Sequence, residues 1–274
     1  MNIVNNLSQE YNDKGFVVLR DLISYSEIQK YTEIAKRHDS KSPPNAIVHY
    51  MNDYIKFLDP RSYRRYFRYI DLRYILDCLY LIFKSRDKNW IRNIPTLNFD
   101  NKISANRIDS YISKKSDEDI LEWHCDAAFG GATHPAEFFG NANGKVATKN
   151  VNKLFLHVTD VKHGNGAFSY IPYSHKINMA IRNLINNKII KYKPFLLLDD
   201  AIKLVNFQHK DKFLQILTED QIESFVKNAQ MALTNDKEFL IECKAGDAVL
   251  FNEFGYHKGT APKLSDRIVF RYFY

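Results

Sequence analysis

The sequence predicts a mainly β domain with flanking helices, and three observations lead to that expectation. Apolar runs of strand length recur from about residue 105 onward, and turns containing glycine or asparagine separate them. Residues 1–104 instead show helical spacing of apolar residues around one strand-like run. A second helical stretch, at about residues 176–237, interrupts the strands. Many short strands with frequent turn signals are typical of a sandwich or a barrel.

The N-terminal part, residues 1–104, is expected to be mainly helical. A short polar helix should end near Gly15, and Phe16 then opens a four-residue apolar run that suits a strand. Ser24 and Glu27 have the spacing of a capping box, which predicts a second helix directly after them.

Asp59 and Pro60 predict the start of a further helix, since proline suits the first helical position. One face of this helix carries four arginines, namely Arg61, Arg64, Arg65 and Arg68. A run of charge on a helix is usually a solvated face, and the alternatives are a substrate phosphate, a membrane surface or nucleic acid. The sequence leaves the role of this face open.

The strand-like runs lie on both sides of the second helical stretch. They are residues 108–113, 120–125, 153–159, 167–172, 239–243, 248–251 and 267–274. We therefore expect a β core from residues 105–175 and 238–274, within a single domain of residues 1–274. Residues 176–237 form an insertion that we expect to act as a lid, because long segments on a rigid scaffold often cover a site. The alternative is an outer layer on the barrel or an oligomer contact.

Composition restricts the classes of protein that remain. A hydrophobic fraction of 45% and a charged fraction of 26% are ordinary for a globular domain. The net charge of +7 favours anionic partners, although the charge is spread along the chain. The three cysteines lie far apart, which argues against a disulfide framework and makes the cytoplasm the expected location. We expect no secretory signal and no membrane span, and the oligomeric state stays open.

A candidate metal site begins with His124 and Asp126, which form an H-x-D motif at a predicted strand end. Side chains at positions i and i+2 of a strand share a face, so both can reach one metal ion while Cys125 points away. A second histidine, His257, follows the strand of residues 248–251. Two imidazoles and one carboxylate form the facial triad of non-haem Fe(II) oxygenases, which leaves positions open for other ligands.

Arg267 completes the pattern, because it opens the last predicted strand after His257. Open positions on iron can take a 2-oxo acid and dioxygen, and the far carboxylate of that acid needs a planar cation such as guanidinium. An H-x-D triplet alone is weak evidence, so the argument rests on the order of the motif, the Gly-Asp turn, the histidine and the arginine. Arg271 shares the strand parity of Arg267 and is expected to meet a substrate acid or a buried carboxylate.

Two stretches resemble the phytanoyl-CoA dioxygenase family of Fe(II)- and 2-oxoglutarate-dependent oxygenases. Residues 154–176, LFLHVTDVKHGNGAFSYIPYSHK, resemble the family's strand, Asn-Gly turn and Pro-x-Ser-His-Lys segment. Residues 245–267, AGDAVLFNEFGYHKGTAPKLSDR, resemble its distal half, with a Gly-Asp turn, the second iron-binding histidine and the arginine for 2-oxoglutarate. The opening GFVVLRDLISYSEI also resembles the family's usual opening.

The resemblance implies a double-stranded β-helix, the cupin-like jelly roll, with flanking helices. It makes His124, Asp126 and His257 the iron ligands, and it makes Arg267 the group that binds 2-oxoglutarate. Iron(II) is then the cofactor, with 2-oxoglutarate and dioxygen as cosubstrates. The implied reaction is hydroxylation, or another oxidation, of a small metabolite or biosynthetic intermediate, with an anionic one favoured by the net charge. Asp126 argues against halogenation, because halogenating relatives have a small residue there.

The sequence departs from the family pattern at two positions. Tyr173 stands where glycine is common, and Gly259 stands where serine is frequent. Thr260 is therefore expected to supply the missing hydroxyl contact to 2-oxoglutarate. His157 and His175, both in the first family-like stretch, are interpreted as structural.

Two other functions remain as alternatives. A nucleic-acid oxidative demethylase would share the H-x-D and histidine pattern and would use the positive charge, but residues 154–176 argue against it. A non-enzymatic jelly-roll binding protein would need no intact triad, and the presence of Arg267 beside the triad argues against that. The identity of the substrate and the position and stereochemistry of its oxidation cannot be deduced from the sequence.

Overall fold

The computed structural model describes residues 2–39, 72–87, 105, 107–118, 121–125, 146, 148, 152–191 and 196–274. Two antiparallel sheets pack face to face in these ranges, and helices cover the outer side of each sheet. This is the jelly-roll fold with flanking helices that the sequence predicts.

The strands are β1 (Phe16–Leu19), β2 (Arg107–Ser113), β3 (Leu121–His124), β4 (Asn152–His157), β5 (Phe168–Tyr170), β6 (Leu240–Ile241), β7 (Ala248–Asn252), β8 (His257–Gly259) and β9 (Arg267–Phe273). The larger sheet has the order β1-β7-β4-β9-β2. The smaller sheet has the order β3-β8-β5-β6. All of these pairings are antiparallel, and the crossovers between the two sheets make the double-stranded helix.

The helices of the N-terminal part are α1 (Asn2–Lys14), α2 (Tyr25–Asp39) and α3 (Leu72–Ser85). The later helices are α4 (Ser174–Asn186), α5 (Leu198–Lys203), a π-helical turn (Leu204–Gln208), α6 (Lys210–Leu214), α7 (Glu219–Thr234) and a 3₁₀ turn (Asp236–Phe239). No helix in the described ranges is long and apolar enough to cross a bilayer.

The alternation of side chains along β7 shows how the larger sheet separates two apolar layers. Leu250 packs on the outer side with Tyr31 and Ile34 of α2. Val249 and Phe251 point the other way, into a core that also contains Phe168 of the smaller sheet. Because both faces of β7 are covered, all five of its residues are buried, and the first four form a continuous apolar run.

The described part of the predicted insertion, residues 176–191 and 196–237, forms a layer behind the smaller sheet. Its described helices bury their apolar faces against Trp123 of β3 and Tyr256, which directly precedes β8. Thr218 and Gln221 cap α7 through both hydrogen bonds of a capping box. This packing favours the outer-layer alternative, and the lid hypothesis stays a prediction.

The predicted strands agree with the observed ones to within a few residues, whereas β8 was not predicted because His257, Lys258 and Gly259 form no apolar or β-branched run. Helix α1 starts at Asn2, and the backbone N–H of Ser24 donates to Glu27 at the start of α2, as one half of a capping box.

The predicted helix at Asp59 and the arginine face of Arg61, Arg64, Arg65 and Arg68 lie outside the described residues. The division of the chain into core and insertion also stays a prediction.

Candidate active site

His124 and His257 lie side by side at one edge of the smaller sheet. The antiparallel register of β3 and β8 places the two residues directly opposite each other. Their ring centroids are 4.4 Å apart, so both imidazoles are close enough to bind one metal ion. His257 is almost fully buried, whereas His124 is partly exposed. The sequence separated these residues by more than 130 positions, and the sheet brings them together.

Backbone carbonyls fix the tautomer of both imidazoles. Nδ1 of His124 lies 2.7 Å from the carbonyl oxygen of Glu122, and Nδ1 of His257 lies 2.9 Å from that of Gly255. A carbonyl oxygen only accepts hydrogen bonds, so Nδ1 carries the hydrogen in each ring and Nε2 carries the lone pair. Holding one ring nitrogen in this way is the usual means of orienting a metal-binding histidine. The two imidazoles therefore suit an iron(II) ion.

Asp126, the predicted third ligand, lies outside the described residues. Within the described ranges, no group of three histidine, cysteine, aspartate or glutamate side chains is close enough together to hold a metal ion. The full triad of His124, Asp126 and His257 therefore stays a prediction. Cys125 packs against the apolar layer behind the smaller sheet, as expected for a residue that faces away from the site.

A cavity of about 240 Å³ lies between the two sheets beside the paired histidines. Its lining residues are Tyr111, His124, Phe155, His157, Phe168, His257, Gly259, Arg267, Val269 and Arg271. Three of them, at positions 267, 269 and 271, share one face of β9 through the two-residue period of a strand. The cavity thus joins a pair of candidate metal ligands to two arginines.

Arg267 is buried with a charge that the described protein groups do not neutralise. Its Nη1 donates to the carbonyl of Gly166 at 2.7 Å, and its Nη2 donates to the hydroxyl of Ser113 at 3.0 Å. Its Nε has no hydrogen-bond partner, and no carboxylate forms an ion pair with it, among the described residues. Burial lowers the pKa of this arginine to about 10. A buried cation that lacks a counter-ion fits an anionic ligand such as the carboxylate of 2-oxoglutarate.

The Asn-Gly turn of the first family-like stretch positions Arg267. Asn165 accepts backbone hydrogen bonds from Leu264 and Ser265, which anchors the segment before β9. Gly166 has a positive φ of 75°, and a Cβ there would lie 3.0 Å from Cδ of Arg267. Glycine is therefore needed for both the backbone conformation and the close approach of the arginine.

Arg271, the second arginine of the cavity, is engaged by the protein. Its Nη2 donates to the carboxylate of Asp109 at 3.0 Å, and that carboxylate is fully buried. Of the two partners that the sequence left open, the buried carboxylate is the one observed. Arg267 and Arg271 therefore differ in chemistry even though they share one face of β9.

Thr260 is placed differently from the expectation. Its hydroxyl donates to the carbonyl of Ala167 at 2.7 Å, and Gly259 rather than Thr260 lines the cavity. The cause is strand alternation, which turns His257 and Gly259 to the cavity and residue 260 away from it. The assignment of Thr260 to 2-oxoglutarate gains no support from these contacts and stays a prediction.

The backbone conformation at Tyr173 shows why glycine is common at this position in the family. Tyr173 precedes α4 with a left-handed φ of 67°, a conformation that glycine adopts without strain. His175, two residues later, lies against Gly15, and its Nε2 donates to the carbonyl of Asn12 at 3.3 Å. These contacts fit the structural interpretation of His175, because they join α1 to α4.

His157 also lines the cavity, a position that the sequence did not indicate. The side chain is 1% exposed, yet neither ring nitrogen has a hydrogen-bond partner among the described residues. Burial, together with the charge of Arg267, lowers the pKa of His157 to about 3, so the imidazole is neutral at neutral pH. The strand pattern predicted its position in the core, but only the fold places it in the same cavity as Arg267.

A sequence model of the phytanoyl-CoA dioxygenase family matches residues 11–267 of the chain. The chain belongs to the phytanoyl-CoA dioxygenase family. It is thus a 2-oxoglutarate-dependent non-haem iron enzyme, with iron(II) as cofactor and 2-oxoglutarate and dioxygen as cosubstrates. A search of curated proteins found no match.

Solved structures similar to this family member include HygX of Streptomyces hygroscopicus. The apo form of HygX has a TM-score of 0.53 at 12% identity, and the iron-bound form has a TM-score of 0.51 at 13% identity. In both comparisons the match covers 98% of this chain and 85% of HygX. At such low identity the likeness shows the shared fold.

Proposed function

We propose that this family member oxidises a small, anionic metabolite or biosynthetic intermediate, with hydroxylation as the simplest outcome. His124, Asp126 and His257 would hold the iron, and Arg267 would bind the distal carboxylate of 2-oxoglutarate. When bound, the iron supplies oxidation of a C–H bond by dioxygen, while 2-oxoglutarate is converted to succinate and CO2. The three cysteines are free thiols, which fits the expected cytoplasmic location.

One observation carries this proposal. The paired imidazoles of His124 and His257 and the buried guanidinium of Arg267 line the same small cavity. A 2-oxo acid that chelates a metal at the histidines could therefore direct its far carboxylate to a cation that has no carboxylate partner among the described residues. Charge-assisted hydrogen bonds of this kind are about twice as strong as neutral ones.

Aromatic side chains form another wall of the cavity, which suits an oxidation from which bulk water has to be excluded. Phe155 and Phe168 pack edge to face with a centroid distance of 5.4 Å, and Phe168 lies 5.6 Å from the ring of His257. These rings make the wall beside the histidines apolar, and an apolar wall strengthens electrostatic interactions inside the cavity. The net charge of +7 would attract an anionic substrate to the cavity mouth.

The proposal is tested by replacing the three candidate ligands one at a time. His124→Ala, Asp126→Ala and His257→Ala should each abolish iron-dependent formation of succinate from 2-oxoglutarate, because a facial triad needs all three groups. His163→Ala is the control, since His163 is exposed and does not line this cavity. Calorimetric titration with iron(II) without oxygen should show weakened metal binding in the first three variants only. Wild-type activity in His257→Ala would refute the assignment.

The substrate class is tested with a panel of small carboxylates and phosphates. An anionic substrate should increase succinate formation above the level seen with 2-oxoglutarate alone. A single-stranded DNA bearing alkylated bases should neither bind in a salt-sensitive manner nor increase turnover. If the DNA increases succinate formation and none of the small anions does, the substrate is a nucleic acid and the proposed substrate class is wrong.

A further inference from the structure

His157 poses a problem of unsatisfied hydrogen bonds. A buried imidazole without a partner costs free energy, and buried polar groups in folded proteins almost always have one. Here both ring nitrogens lack a partner among the described residues, although the side chain is only 1% exposed. Its backbone is firmly held, because the N–H of His157 donates to the carbonyl of Asp247 at 2.9 Å and the N–H of Gly246 donates to the carbonyl of His157 at 2.8 Å.

The position of His157 points to the missing partner. His157 lies opposite Val269 in the pairing of β4 with β9, so Arg267 is its diagonal neighbour on the same face. Diagonal neighbours lie roughly 7–8 Å apart, which leaves room for one ligand group between their side chains. Both residues line the cavity that the paired histidines share.

The nearby acidic groups do not fill this space. The carboxylate of Asp247 accepts from Arg20 at 2.7 Å and from the backbone N–H of Asp21 at 2.9 Å. Asp109 accepts from Arg271 at 3.0 Å. Among the residues that the structure describes, the charged groups in the cavity wall around His157 are Arg267 and Arg271. The local chemistry is therefore that of an anion site to which His157 adds a neutral imidazole.

We propose that His157 binds the distal carboxylate of 2-oxoglutarate together with Arg267 and so selects a dicarboxylic 2-oxo acid over a monocarboxylic one. The imidazole donates its one N–H to a carboxylate oxygen, and the guanidinium donates to the same carboxylate. This inference rests on the proposed function, which assigns 2-oxoglutarate to Arg267. It replaces the structural interpretation of His157 with a role in cosubstrate selection.

The test measures equilibrium binding of two ligands that differ only at the distal group. These are 2-oxoglutarate and 2-oxopentanoate, which has the same carbon chain without the distal carboxylate. The protein is loaded with zinc(II), which has no redox chemistry and accepts histidine and carboxylate ligands. Calorimetry gives the Kd of each ligand for the wild type, His157→Leu, His157→Asn and the control His163→Leu.

His157→Leu should raise the Kd for 2-oxoglutarate about 10- to 100-fold, as expected for a lost hydrogen bond to a charged group. The Kd for 2-oxopentanoate and the affinity for zinc should change less than about twofold, because neither uses this contact. His157→Asn keeps an N–H donor and should recover part of the preference. Equal weakening of both ligands, or no change in either, would overturn the proposal and leave His157 as a structural side chain.

Arg267→Ala separates this proposal from the one on which it rests. If Arg267→Ala removes the preference for 2-oxoglutarate and His157→Leu does not, the proposed function stands and the role of His157 fails. If the wild type shows no preference, the assignment of 2-oxoglutarate to Arg267 fails as well. Should His157→Leu not fold, ¹⁵N spectra of the wild-type histidines decide: the His157 ring resonances should shift with 2-oxoglutarate and not with 2-oxopentanoate.

Discussion

Arg267 illustrates how a single buried charge can indicate a ligand. Transfer of a guanidinium into the interior is costly unless hydrogen bonds and a counter-charge compensate for the lost hydration. The carbonyl of Gly166 and the hydroxyl of Ser113 supply two hydrogen bonds, yet no described carboxylate supplies the counter-charge. By contrast, Arg271 on the same face has Asp109. The difference makes Arg267 the arginine to which a bound carboxylate would contribute most.

Replacing Arg267 should therefore weaken the binding of 2-oxoglutarate and leave the affinity for the metal ion unchanged. We expect Arg267→Ala to weaken 2-oxoglutarate binding by about 2–5 kcal/mol, because the loss of one partner of a buried charge pair costs that much. Arg267→Lys should lie between Ala and the wild type, because an ammonium keeps the charge but loses the planar fork. Calorimetric titration with 2-oxoglutarate measures the effect, and titration with zinc(II) provides the control. An unchanged 2-oxoglutarate affinity would mean that another cation binds the carboxylate.

For single residues, the sequence predicted those that belong to a motif with a defined spacing. The H-x-D triplet, the distal histidine and the strand parity of residue 267 predicted His124, His257 and Arg267, and the fold brings these three into one cavity. The surroundings of His157 and Thr260 could not be predicted, because they depend on which strand lies beside each residue. A sequence gives the face on which a side chain lies, but not its diagonal neighbour in another strand.

The turn between β7 and β8 sets the orientation of His257. The carbonyl of Gly255 accepts from Nδ1 of His257, and the N–H of Gly255 donates to the carbonyl of Asn252 at 3.1 Å. Tyr170 of β5 covers the turn: its hydroxyl donates to the carbonyl of Asn252 at 3.0 Å. Its ring is nearly parallel to that of His257, with 9° between the planes. A Cβ on Gly255 would overlap the hydroxyl and the ring of Tyr170.

Gly255→Ala should therefore impair metal binding through the turn. Tyr170 is fully buried and hydrogen-bonded, so the overlap has to displace either the turn or the ring, and His257 depends on both. We expect metal affinity to fall about 10- to 100-fold, as is typical when a group that orients a ligand is disturbed. Calorimetry with zinc(II) measures this loss, and circular dichroism checks that the variant folds.

A double-mutant cycle shows whether Tyr170 causes the effect. Tyr170→Leu removes the ring atoms that the new methyl group would overlap. Gly255→Ala with Tyr170→Leu should bind zinc more tightly than the two separate losses predict, because the residues are in direct contact. Strictly additive losses would show that the turn fails for a reason unrelated to Tyr170.

Elements with a clear sequence pattern were predictable, and β8, which lacks one, was not. The strands of residues 248–252 and 267–273 have apolar runs bounded by turn signals, and α7 carries a complete capping box. Strand β8 consists of His257, Lys258 and Gly259, none of which is an apolar or β-branched residue that would indicate a strand. Its pairing with β3 and β5 depends on contacts that are distant in sequence, and these contacts place His257 opposite His124.

At the scale of the whole molecule, each sheet lies between the core and an outer helical layer. The layer behind the smaller sheet contacts the residues next to both candidate metal ligands, Trp123 and Tyr256. The hydroxyl of Tyr256 donates to the carbonyl of Leu196, and its backbone N–H donates to the hydroxyl of Ser174. The segment that the sequence predicts as a lid thus supports the site from behind, in the residues that the structure describes.

His175 joins the N-terminal helix α1 to this layer. Protonation of His175 should therefore change the free energy of unfolding of the whole domain. Burial and the nearby Lys176 lower the pKa of His175 to about 4, against an ordinary value near 6.5. Between these values the unfolded chain binds a proton that the folded chain excludes. The stability contributed by the neutral imidazole is therefore complete above about pH 6.5 and is lost as the pH falls towards 4, by on the order of 3 kcal/mol in total.

His175→Gln should flatten this pH dependence, because glutamine can still donate to the carbonyl of Asn12 but does not titrate. The free energy of unfolding, measured by urea denaturation between pH 7 and pH 4.5, should fall less steeply in the variant than in the wild type. Some slope should remain, because His157 has its pKa lowered to about 3 and acts in the same direction. His163→Gln is the matched control at an exposed histidine and should keep the wild-type slope. If His175→Gln also keeps the wild-type slope, the buried neutral imidazole is not what makes folding sensitive to acid, because every other titrating group is common to the two proteins.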